Sequence, residues 1–321
     1  MITTSSFKPA WWMRNRHTQT IWPSLFRVRA KISLRRERLE IPDGDFLDLD
    51  WSENSTGPIV ILLHGLEGND NSHYARTLLK HLSQNGFQAV LMYFRGCSGE
   101  INRLPRAYHS GETGDLSCVV AELQARFPDR AIFVIGISLG GNVLLKWLGE
   151  TGHDNPLSGA IAVSVPFDLA NASDQLNRPE SKIYQAYLIN KLQASLQQRL
   201  EKMQLPIDKD KALSCKTIRD YDELITAPLH GFLGAADYYQ KSSCRQYLHN
   251  IQVPTLIIHS LDDPFMTQTA VPEEKELSES VRLELSARGG HVGFLGGVVP
   301  FLPNYWLEKR ISNFLLDKII V

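Results

Sequence analysis

Short apolar runs that alternate with helical stretches constrain the fold of this chain more than any other feature of its sequence. Residues 58–63, 87–93, 131–135 and 157–163 are strand-like, and stretches near 72–84, 114–127 and 140–150 have helical spacing. A repeated β-α-β order needs right-handed crossovers, which build a parallel sheet covered by helices on both faces. Chemistry on such a sheet collects beyond the carboxyl ends of its strands. Upstream, residues 31–41 and 46–51 are β-like, and Pro42-Asp43-Gly44-Asp45 between them predicts an antiparallel hairpin at a sheet edge. After Val165-Pro166 the alternation stops, and the sequence turns polar and helical. Leu188, Leu192, Leu196 and Leu200 recur every four residues there, so one helix face must lie against apolar partners. Residues 166–250 are therefore expected to form a helical cap inserted into a single domain spanning 1–321. Strands resume at 253–258 and 281–285, and a helix near 305–316 closes the chain.

The third of the alternating strands runs straight into Gly136-Ile137-Ser138-Leu139-Gly140-Gly141, and helix-like spacing follows. A G-x-S-x-G turn between strand and helix forces the serine into a strained conformation, and flanking glycines relieve the crowding. The serine hydroxyl then stands above the sheet edge beside N–H groups at a helix N-terminus. Ser138 is accordingly the expected nucleophile. A serine hydroxyl needs a base within hydrogen-bond reach and an acid to orient that base.

Both partners have candidates in loops that follow strands. Asp263 stands in Leu261-Asp262-Asp263-Pro264-Phe265, and His291 lies 28 residues later between Gly290 and Val292. Asp262 and Asp168 compete for the acid role; Asp263 leads because Asp262 would point the other way in extended chain. His64 competes for the base, but His64-Gly65-Leu66-Glu67-Gly68 fits the oxyanion-hole loop of G-x-S-x-G enzymes. The expected oxyanion donors are the backbone N–H groups of Leu66 and Leu139. The sequence has no H-E-x-x-H, no G-x-x-x-x-G-K-[ST] and no helix-opening G-x-G-x-x-G, so neither a metal nor a bound cofactor is expected.

Charge is uneven along the chain. Residues 1–38 hold nine Lys or Arg and one acid, and the first 30 carry Trp11, Trp12 and Trp22 among them. This basic aromatic segment, 1–30, fits either a wrap that buries its tryptophans or weak peripheral contact with an anionic membrane; nucleic acid is not expected. No helical period is evident in it. Cys97, Cys118, Cys215 and Cys244 are scattered without C-x-x-C spacing, so neither a zinc site nor a disulfide framework is expected. No apolar stretch reaches the roughly 18 residues of a membrane span, and the start lacks a signal-peptide core; a cytoplasmic protein is expected.

Several motifs act as a set: Arg16-His17-Thr18-Gln19-Thr20-Ile21, the His64 loop, Arg95-Gly96-Cys97, Tyr108-His109-Ser110-Gly111, the elbow, the Asp263 loop and Gly289-Gly290-His291-Val292-Gly293-Phe294. Together they resemble the YheT-like esterases, a branch of the α/β-hydrolase superfamily related to eukaryotic abhydrolase-domain lipases and yeast medium-chain ethyl ester synthases. The resemblance implies an α/β-hydrolase fold, a charge relay of Ser138, Asp263 and His291, and no cofactor. It also implies small-molecule or lipid-like carboxylic esters as substrates, with short to medium acyl chains. Arg95 and His109 match family positions and are expected to brace active-site loops. An acyltransferase would use the same residues, and a non-catalytic ligand-binding homologue would share the fold.

Overall fold

A computed structural model of the chain describes residues 1–53 and 55–319. Its centre is a nine-stranded sheet, formed by β1 (Ile2–Thr4), β2 (Arg35–Glu40), β3 (Phe46–Trp51), β4 (Ile59–Leu63), β5 (Gln88–Met92), β6 (Ile132–Ile137), β7 (Gly159–Val163), β8 (Thr255–Ser260) and β9 (Val281–Ser286). Their spatial order is β1-β9-β8-β7-β6-β4-β5-β3-β2. Every pairing from β1 to β5 is parallel, and β2 and β3 complete the far edge as the antiparallel hairpin that the Asp43-Gly44 turn predicts.

The near-continuous apolar runs of the central strands follow from burial on both sides. In β4, Ile59, Ile61 and Leu63 join one core and Val60 and Leu62 the other. One face is covered by α3 (Gly114–Arg126) and α4 (Leu139–Thr151), the other by α2 (Ala75–Gln84) and α11 (Trp306–Ile319). Helix α4 is buried from Leu139 to Gly149, which suits its nearly all-apolar circumference.

Between β7 and β8 stand α5 (Leu169–Leu176), α6 (Lys182–Lys202), α7 (Lys209–Ser214), α8 (Ile218–Tyr221), α9 (Ala227–His230) and α10 (Ala235–Ser242). The four-residue leucine spacing has the expected effect on α6, where Leu188, Leu192 and Leu196 are buried and Leu200 partly so.

The N-terminal reading needs three corrections. Residues 1–30 are not without regular structure: β1 pairs with β9, with the Met1 amino group donating to Val281 O at 2.8 Å, and residues 16–26 form α1 (Arg16–Phe26). Asn15 caps α1 by accepting from His17 N–H at 2.8 Å. The helix has β-branched and aromatic residues and Pro23 inside it, so its local propensity is weak and packing decides it. Secondly, Trp11 is exposed and Trp12 and Trp22 only half-buried, so the wrap does not bury its tryptophans. Thirdly, the first hairpin strand begins at Arg35 rather than near residue 31. A short pair, β10 (Leu295–Gly296) and β11 (Asn304–Tyr305), also escaped the pattern.

Candidate active site

Strand β6 delivers the nucleophile candidate. It runs through Ile137 to Ser138, whose N–H still donates to Val163 O at 2.8 Å, and α4 begins at the next residue. Ser138 takes φ 54° and ψ −117°, a conformation that non-glycine residues adopt only when the surroundings impose it. The imposition is visible at the two flanking glycines. A Cβ on Gly136 would stand 2.4 Å from Gly140 O, and one on Gly140 would stand 2.7 Å from both Leu63 O and His64 O.

His291 reaches the serine from the loop after β9. Its Nε2 is 3.0 Å from Ser138 Oγ, and its Nδ1 is 2.8 Å from Asp263 Oδ2. The tautomer that satisfies both contacts carries its proton on Nδ1 and presents Nε2 to accept the serine proton. Asp263, almost wholly buried after β8, accepts Phe265 N–H on its other oxygen at 2.8 Å. The competing acids lie elsewhere. Asp262 accepts from Gly290 N–H and Ser260 Oγ, both at 3.0 Å, and Asp168 caps α5 by accepting Asn171 N–H at 3.0 Å.

His64 is occupied on both ring nitrogens: Nδ1 meets Gly65 O at 2.7 Å, and Nε2 accepts Phe94 N–H at 3.1 Å. Burial pushes its pKa down to about 4, so it stays neutral and pins its loop. That loop lies against the serine, since a Cβ on Gly65 would stand 3.4 Å from Ser138 Cβ. Among the described residues, neither Leu66 N–H nor Leu139 N–H has an acceptor outside regular helix and strand bonds. Gly65 N–H donates to Tyr74 OH at 2.9 Å and Glu67 N–H to Tyr108 OH at 2.7 Å, so the peptides on each side of Leu66 are fixed.

Sequence reasoning missed the parts that act through contact. Thr20 Oγ1 accepts His291 N–H at 2.9 Å, and Gln19 donates to Met13 O and Leu295 O while accepting Leu295 N–H. Helix α1 therefore packs directly on the His291 loop, so closely that a Cβ on Gly293 would stand 2.2 Å from Gln19 O. Phe265 stacks on the His291 ring with centroids 3.9 Å apart. Glu67, in the left-handed region at φ 50°, accepts from Tyr108 OH and from Ser195 Oγ of α6. Burial pushes its carboxyl pKa up, against those two hydrogen bonds.

Of the two bracing candidates, Arg95 braces the hairpin turn rather than the loops around Ser138. It is buried and donates to Asp115, Asp45 and Asp43, tying the hairpin turn to α3. His109 instead sits in a cavity wall, with its ring 4.5 Å from that of His230.

This cavity, about 670 Å³, opens beside Ser138 and His291. Leu188, Leu192, Ile225 and Leu229 from the helices between β7 and β8 line it, together with Ile21 and Leu25 of α1. Its size and apolar walls suit a small organic ligand with a hydrocarbon part. Among the described residues, no group of three His, Cys, Asp or Glu side chains is arranged to hold a metal ion.

Comparison with known proteins gives the family and the fold. A family model described as the alpha/beta hydrolase fold matches residues 58–298. YheT of Escherichia coli (strain K12), a candidate esterase by name, is 43% identical over 98% of this chain and 94% of its own length. Phospholipase ABHD3 of Mus musculus is 32% identical over 98% of this chain and 79% of its own. Among solved structures, the Pyrococcus furiosus esterase Pf2001 superposes with a TM-score of 0.59, covering 99% of this chain and 98% of that one. At 18% identity it speaks for the fold alone.

Proposed function

Because this chain belongs to the α/β-hydrolase family, we propose that it cleaves carboxylic esters through an acyl-enzyme on Ser138. One observation carries the reading: the unbroken run of contacts from Asp263 through His291 to Ser138 Oγ at the mouth of an apolar cavity. In this reaction Ser138 Oγ attacks the ester carbonyl carbon while His291 Nε2 takes its proton. The carbonyl oxygen becomes an oxyanion, which the backbone N–H groups of Leu66, in the loop after β4, and Leu139, at the start of α4, receive. His291 returns the proton to the leaving alkoxide, and the alcohol departs. Water then attacks the acyl-enzyme with His291 as base, releasing acid and restoring Ser138.

Residues 166–250 serve as a cap, and 1–321 as one domain, in this proposal. The cap supplies most of the apolar wall, which favours a short to medium acyl chain over a polar acyl group. Two relatives carry lipid names, phospholipase ABHD3 and the monoacylglycerol lipase of Saccharomyces cerevisiae, and a lipid-like ester is the substrate class we assign. A fluorophosphonate probe tests the reading. It is expected to label the folded protein, and Ser138→Ala is expected to abolish both labelling and nitrophenyl ester cleavage. Absence of labelling on folded protein, or labelling that survives Ser138→Ala, would overturn it.

A further inference from the structure

Folding leaves an apolar patch uncovered at the N-terminal end of the molecule. Leu25, Phe26 and Val28 at the end of α1 are exposed, as is Trp11, and across from them Val298, Phe301 and Leu302 are each at least 70% exposed. These groups are continuous. Trp11 Nε1 donates to Val298 O at 3.0 Å, the Phe301 ring lies 5.7 Å from Trp12 and 6.2 Å from Trp22, and Trp22 lies 4.4 Å from Phe26. Contiguous apolar surface of this kind marks an interaction site rather than ordinary exposed carbon. The patch borders the cavity: Leu25 lines both, and exposed Ile183 and Tyr187 of α6 line the cavity mouth as well.

Charge decides which partner fits. Lys8, Arg14, Arg29 and Lys31 are exposed, and none has an ion-pair partner among the described residues. Arg29 donates to Asn71 Oδ1 at 3.0 Å, a neutral partner. Two nearby basic groups are otherwise engaged: Arg27 pairs with Glu308, and Arg16 faces the charge of Glu180. Aromatic and aliphatic side chains edged by unpaired cations match the interface of an anionic bilayer, where carbon enters the acyl boundary and Lys or Arg meets phosphate. A second copy of this chain fits poorly, because a two-fold contact would bring the same basic fringe against itself.

We propose that this patch seats the protein on an anionic phospholipid bilayer with the cavity mouth turned toward the lipid, so that ester substrates pass from the bilayer to Ser138. The delivery half rests on the esterase reading; the docking half does not. Flotation with vesicles of phosphatidylcholine alone, and of phosphatidylcholine with phosphatidylglycerol, tests it at low salt. Wild-type and Ser138→Ala proteins are expected to float equally with the anionic vesicles and much less with the neutral ones. Brominated lipid is expected to quench tryptophan emission in both.

The combined variant Val298→Ser, Phe301→Ser and Leu302→Ser lies outside the cavity wall. It is expected to bind at least about tenfold more weakly while melting at the same temperature and cleaving a soluble short-chain ester at the wild-type rate. Arg14→Glu with Lys31→Glu is expected to lose the preference for anionic vesicles, which keeps the test open should the first variant misfold. No flotation, or flotation untouched by either variant, overturns the docking. A concentration-dependent dimer that the triple serine variant dissolves would assign the patch to a second copy instead. Flotation without fluorophosphonate labelling would overturn the esterase reading and leave docking standing.

Discussion

Thr20 has no chemistry of its own, yet its Oγ1 is the acceptor that holds the His291 backbone. Thr20→Val keeps the shape and removes that acceptor, leaving a buried N–H unpaired at a cost of about 1–3 kcal/mol. The expected result is a kcat lowered about tenfold or more with KM little changed, since His291 is displaced and the cavity is not. Asp263→Asn disturbs the same histidine from the other side. It is expected to lower kcat about 10⁴-fold, as loss of an orienting carboxylate does in a Ser-His-Asp triad, because the wrong tautomer then faces Ser138. Asp168→Asn should leave the rate near wild type, and rate measurements on both variants decide the acid assignment. Ser138, Asp263 and His291 were legible because each follows a strand and belongs to a residue type with acid, base or nucleophile chemistry. Thr20, Gln19 and Ser195 were not, because a side chain that acts by bonding a distant backbone or carboxyl leaves no local spacing.

Among the elements, legibility followed the strength of the local pattern. Strands β4 to β9 and helices α2 to α4 have long apolar runs or periodic faces, and they stand within a few residues of where the sequence puts them. Strand β1 has three residues and exists only because β9 offers it an edge. Helix α1 likewise depends on its seat against the His291 loop, because Pro23 and its β-branched and aromatic residues leave its own propensity weak. Helix α6 is the opposite case, with its face written in leucines. Leu196 is fully buried in it, whereas Leu200 is partly exposed. Leu196→Ala is therefore expected to lower unfolding free energy by about 2–5 kcal/mol, and Leu200→Ala by clearly less, in urea melts. Because α6 also bonds Glu67 through Ser195, the first change should weaken activity on longer acyl esters more than on acetyl esters.

For the whole molecule, buried histidines set the response to acid. Burial pushes His64, His109 and His259 down to about 4, and His73 and His230 to about 3. Between those values and the ordinary 6.5 the unfolded chain binds more protons than the native one, so stability rises with pH. The contribution is complete above about pH 6.5 and is lost as pH falls through the window. Buried carboxyls work the other way: burial pushes Asp222 up to about 6 and also raises Glu67, Asp115 and Asp262, so their share grows as pH falls. The five histidines act against them. At pH 5 each of these histidines opposes folding by on the order of 2 kcal/mol. Urea denaturation at pH 7.5 and pH 5 is expected to show a clearly smaller unfolding free energy at the lower value. His259 allows the cause to be isolated, since it is buried against Phe167, its Nδ1 has no partner among the described residues, and it does not contact Ser138. His259→Leu removes a group that must stay neutral, so it should recover about 2 kcal/mol of the loss at pH 5 and little at pH 7.5. Equal effects at both values would mean that packing, not protonation, governs that site.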